Sequence, residues 1–66
     1  MNKRLLRAKI IESGHSADEI AKYLGICTAS FYGKLNSGKF WIKEVNDIAN
    51  LLKINNSEDI YKIFFD

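Results

Sequence analysis

Ala21-Lys22-Tyr23-Leu24-Gly25-Ile26 is the stretch that decides how this chain folds. Ala17, Ile20, Ala21 and Leu24 fall at i, i+3, i+4 and i+7, which places them on one apolar stripe of a helix. Gly25 then ends that helix, because glycine enters the left-handed region without a Cβ penalty. Ile26 plugs the corner, and a new helix begins after a turn of about three residues. Ala21 is small enough to let that new helix approach closely. Two helices joined by a tight glycine turn, the second free to show a polar face away from the core, make a helix-turn-helix unit spanning about Ser16 to Asn36.

Upstream, Ser16-Ala17-Asp18-Glu19 reads as a capping box, with the Ser16 hydroxyl and the Glu19 carboxylate each serving the other's amide. A first helix is expected from about Lys3 to Ser13, with Leu6 and Ile10 on one face and Gly14 as its stop. Downstream, the third helix starts at Cys27 or at Thr28 and ends near Asn36-Ser37-Gly38, with Phe31 and Leu35 as its inward pair. A fourth is expected from about Ile42 to Lys53, where Val45, Ile48, Ala49 and Leu52 repeat the same spacing. Asn55, Asn56 and Ser57 offer a turn and caps. Glu58 and Asp59 suit the positive end of a fifth, short helix through Phe64. Proline is absent and no alternating β-branched run appears, so the expected class is all-α, five short helices in one domain of residues 1–66. At 66 residues such a domain is marginal unless its helices pack tightly or a partner helps.

A single cysteine excludes an internal disulfide and a thiolate metal cluster, and it fits a reducing, cytoplasmic compartment. The longest apolar runs, such as Ile63-Phe64-Phe65, are too short for a membrane span or a signal peptide. The net charge of +2 is unevenly spread. Residues 1–43 hold eight Lys/Arg against three Asp/Glu, a net +5, while residues 44–66 hold two against five, a net −3. A basic two-thirds that faces a polyanion and a chance imbalance on a solvated surface both account for this.

The ordered set Gly14-His15-Ser16, Glu19-Ile20-Ala21, Leu24-Gly25-Ile26, Phe31-Tyr32, Lys34-Leu35-Asn36 and the helix from Val45 to Leu52 resembles the Cro/repressor (lambda-repressor-like) helix-turn-helix regulators of phage and bacteria. The resemblance covers nearly the whole chain. It implies a compact five-helix lambda-repressor-like domain that binds a two-fold DNA operator as a homodimer, with the third helix in the major groove. Carried across by position, it implies base reading by Thr28, Ala29, Tyr32 and Gly33. It implies backbone phosphate contacts by Ser16, Lys34, Asn36, Lys39 and Lys43. The final segment, about 54–66, is where relatives dimerise. Tyr61, Phe64 and Phe65 cannot all be buried in a monomer of this size, and they are the expected interface.

Three positions depart from the family pattern. Cys27 stands at a cap position often held by Ser or Thr; a thiol caps poorly, so Thr28 can take over as cap. Trp41 stands at the corresponding position before the fourth helix. Gly33 lies mid-helix, at a cost of roughly 1 kcal/mol relative to Ala, which fits either close approach to DNA or weaker base reading. An exposed Trp41 between Lys39 and Lys43 can lie along a DNA backbone. Phe40 is expected in the core and Cys27 as a semi-buried structural thiol. His15 and Cys27 are too few to ligate a metal, Glu58-Asp59 complements a helix dipole, and neither an enzyme, a cofactor nor a small-molecule ligand is expected. The rival readings are an antitoxin-type autoregulator and a helical protein-interaction module that does not bind DNA.

Overall fold

The computed structural model describes residues 1–65. Five helices follow one another: α1 Lys3–Ser13, α2 Ala17–Leu24, α3 Thr28–Ser37, α4 Ile42–Leu51 and α5 Ser57–Phe64. No strand occurs among the described residues. The all-α, five-helix expectation therefore holds, with element bounds close to those read from the sequence.

Each helix contributes one fully enclosed side chain to a common centre. Leu6 of α1, Ile20 of α2, Phe31 of α3, Ile48 of α4 and Ile63 of α5 are all essentially inaccessible to water. Burying side chains of this size stabilises by about 1.5–3 kcal/mol each. Around them α2 packs on α3 and α4, and α1 packs on α5. Phe40, in the connection between α3 and α4, is half-buried and sets its ring against Phe31 and Phe64, with centroids 6.1 and 6.3 Å apart. Phe64 is thus a core residue and leaves the expected dimer set; its neighbours Tyr61 and Phe65 stay exposed. Asp66, the last residue of the expected dimer segment, lies outside the described residues.

The helix ends follow from local chemistry. Asn2, Ser16 and Asn56 cap α1, α2 and α5 with a side-chain oxygen that accepts a backbone N–H. At Ser16 the full capping box forms: the hydroxyl accepts from the Glu19 amide at 3.1 Å, and the Glu19 carboxylate accepts from the Ser16 amide at 3.0 Å. Gly25 ends α2 at φ 77°, and the Ile26 amide reaches back to the Ala21 carbonyl at 3.0 Å. The same closure ends α4 with a lysine in the glycine's place. Lys53 sits at φ 58°, and the Ile54 amide donates to the Ala49 carbonyl at 2.9 Å. This is why α4 stops at Leu51 rather than continuing to Lys53.

The start of the chain is tied down twice. The Asn2 amide donates to the Ile63 carbonyl at 2.7 Å, and the Lys3 ammonium donates to the Asn36 carbonyl. Lys3 therefore serves the carbonyl end of α3, where a cation is favoured by the helix dipole. Among the described residues, no helix is long and apolar enough to cross a membrane.

Candidate nucleic-acid interface

The third helix is two-faced. Phe31 and Leu35 are buried, whereas Ala29, Tyr32, Gly33 and Asn36, at i, i+3, i+4 and i+7, are exposed. Three of the four residues expected to read bases thus lie on one outward stripe, together with Asn36 from the phosphate set. A Cβ added at Gly33 would meet open space, so nothing within the chain requires glycine there.

Thr28 sits half-buried beside this stripe, at the first turn of α3. It is not the cap. Cys27 holds the N-cap backbone conformation at φ −80° and ψ 160°, and its thiol makes no capping hydrogen bond. Instead the Thr28 hydroxyl donates to the Asp18 carboxylate on α2, with Oγ1 and Oδ1 2.7 Å apart. Cys27 is exposed, against the expectation of a semi-buried thiol, and its Sγ lies 3.2 Å from the Ser30 hydroxyl. That hydroxyl, followed by the Ser30 amide at the helix start, holds the thiol below its ordinary pKa. His15 pairs with Glu19 at 3.4 Å. Among the described residues, no three His, Cys, Asp or Glu side chains gather as a metal site.

The expected phosphate contacts divide into free and committed groups. Lys39 follows α3 directly and Lys43 lies in the first turn of α4; both are exposed. Ser16 is exposed, and its hydroxyl accepts from the Glu19 amide. The Ser16 amide, then His15 and the Ser16 hydroxyl, hold the Glu19 carboxyl below its usual range. Lys34 is committed elsewhere. Its ammonium lies 3.2 Å from the Glu44 carboxylate and 5.7 Å from the Trp41 ring centroid, a bridge between α3 and α4. Asn36 accepts from Arg7 through Oδ1 at 3.2 Å, which leaves its side-chain NH₂ to donate outward.

Trp41 is 74% exposed and Ile42 is exposed beside it. An indole has no acceptor, so it cannot cap α4; only the return half of a capping box forms, the Glu44 carboxylate accepting from the Trp41 amide at 2.9 Å. The first-turn amides of α3 and α4 are therefore the two helix starts without a side-chain oxygen cap.

Charge is graded along α3. Lys3, Arg7 and Lys39 gather at its C-terminal end, while Asp18 stands at its N-terminal end. Sequence reasoning missed Arg7 and Asp18. For Arg7 a signal existed, since it shares a face of α1 with Lys3 at i, i+4. For Asp18 none did; its pairing with Thr28 depends on how α2 crosses α3. On the opposite side of α5, Tyr61 and Phe65 form an exposed aromatic pair with centroids 6.4 Å apart. Comparison with protein-family models, with curated proteins and with solved structures finds no match to this chain.

Proposed function

We propose that this chain is a sequence-specific double-stranded DNA-binding regulator of transcription, a Cro-like or repressor-like protein of a phage or bacterial cytoplasm that binds as a homodimer. The observation that carries this reading is the division of α3 into a buried stripe and an outward stripe of small and polar groups, Ala29, Tyr32, Gly33 and Asn36. A helix of that kind, held proud of the core by α2, suits the major groove. Ala29 offers a methyl to thymine, Asn36 offers amide donors, and Gly33 removes the side chain that would hold the helix off the base edges. Lys39, Lys43 and the Ser16 hydroxyl flank the stripe and serve phosphates, with the uncapped amides of α3 and α4 as further donors. Tyr61 and Phe65 supply the apolar patch for a second copy, whose reading helix then meets the next half-site about 34 Å along the duplex.

The test is selection of bound duplexes from a random pool, followed by titration of the winners at two salt concentrations. The expected result is a two-fold consensus and an affinity that falls steeply with salt, as counterions are released from the contacted phosphates. Failure to bind any duplex at low salt overturns the proposal. A second reading, a protein-docking module, draws on the 80% exposed Ile11, which shares a surface groove with Tyr32. It predicts no duplex selection, so the same experiment separates the two.

A further inference from the structure

We infer that Asp18, on α2, sets the base preference of Thr28 by consuming the only proton its hydroxyl can donate. This rests on the DNA-reading proposal and adds a specificity-determining pair to it. An ionised carboxylate is an acceptor only, so in the 2.7 Å contact between Thr28 Oγ1 and Asp18 Oδ1 the hydroxyl is the donor. What Thr28 then presents outward is lone pairs. The neighbouring carboxylate, itself exposed, adds further acceptor oxygens and a negative charge at the same spot. A threonine left to itself reads donors and acceptors alike; this one is restricted to donors.

In the major groove the consequence is definite. Cytosine N4 and adenine N6 are the donors, whereas guanine presents O6 and N7 and thymine presents O4, all acceptors. The Asp18–Thr28 pair therefore selects an amino-bearing base, C or A, on the strand it faces, and repels the keto bases G and T. The structure places this pair at the N-terminal end of α3, the end opposite Lys39, which follows the helix's C-terminus. Asp18 is exposed and takes no part in the Ser16–Glu19 capping bonds, so its removal leaves the start of α2 closed.

Selection from a random duplex pool is run on the wild type, Asp18→Ala and Thr28→Val, with circular dichroism confirming that each variant is folded. The wild type is expected to show one position per half-site restricted to C or A, with about tenfold or greater discrimination against G and T, the scale of one mismatched pair. Asp18→Ala frees the hydroxyl to donate, and G and T are expected to enter at that position while the rest of the consensus stands. Thr28→Val removes the oriented hydroxyl but keeps the Asp18 carboxylate, and is expected to weaken the restriction at that position and no other. An unchanged consensus in either variant overturns the inference while leaving DNA reading intact. A wild type that selects no duplex overturns both.

Discussion

Helices α2 and α3 are neighbours of similar length, yet they are built to opposite rules. α2 is closed at both ends, by the Ser16–Glu19 box and by Gly25, and it is packed against α3 on one side and α4 on another. α3 begins at a thiol that does not cap, carries a glycine in its middle, and keeps only Phe31 and Leu35 buried. Local propensity is spent on the scaffold and withheld from the outward helix. The difference separates two roles: α2 is closed and packed on two sides, while α3 leaves its outer face exposed and its start without a side-chain oxygen cap.

The largest expected effect comes from treating the two faces of α3 alike. Phe31→Ala should cost about 3–5 kcal/mol, comparable to the entire stability of a domain this small, and the variant should have lost its cooperative unfolding transition by circular dichroism. Tyr32→Ala, one residue along but outward, should stay within about 0.5 kcal/mol of the parent while weakening duplex binding. Equal destabilisation of both variants would erase the contrast between the faces.

The next comparison exchanges the caps. Ser16→Ala should lower stability by about 1 kcal/mol, and Cys27→Ser should raise it by up to about that amount, since a serine oxygen accepts a helix-start amide better than a thiol does. Chemical denaturation curves measure both. No gain from Cys27→Ser would mean that the start of α3 is already satisfied. Gly33→Ala should stabilise by roughly 0.8–1 kcal/mol, because the new methyl meets open space, and thermal unfolding should rise by about 4–8 °C per kcal/mol. If Gly33 lets the backbone approach a duplex, the same variant binds DNA more weakly, so stability and binding move in opposite directions.

The smallest effect is that of acid on the α2 box. The folded Glu19 carboxyl titrates below its ordinary value of 4.5, so its contribution to stability is complete above that pH. It is lost as pH falls through the depressed value. The difference in melting temperature between wild type and Glu19→Gln should therefore close on acidification below about 4.5.

Much of this architecture is legible in the residues because it depends on neighbours in the chain. The capping box, the glycine stops at Gly14, Gly25 and Gly38, and the apolar stripes all obey spacings of three or four residues. The place of Phe64 was legible too: Ile60, Ile63 and Phe64 share one helical stripe, whereas Tyr61 and Phe65 share the opposite one. Counting aromatics missed what their phase showed. Other features were out of reach. The stop at Lys53 uses a residue that seldom accepts positive φ, so no composition cue marks it. The pairs Thr28–Asp18, Lys34–Glu44 and Arg7–Asn36 each join two different helices. Such pairs depend on crossing angles that no linear spacing encodes, and they decide which polar groups of the candidate face remain available.

The bond from the Asn2 amide to the Ile63 carbonyl gives the domain a clasp. Helical domains generally fold through contacts between residues close in sequence. This contact instead requires nearly the full length of the chain to come round on itself, at the loop-closure cost that long separations carry. Beside it, the Lys3 ammonium holds the Asn36 carbonyl at the end of α3. Two adjacent residues at the start of the chain thus join α5 to the far end of α3. A second copy docked on Tyr61 and Phe65, as proposed above, would rest on the helix that carries this clasp.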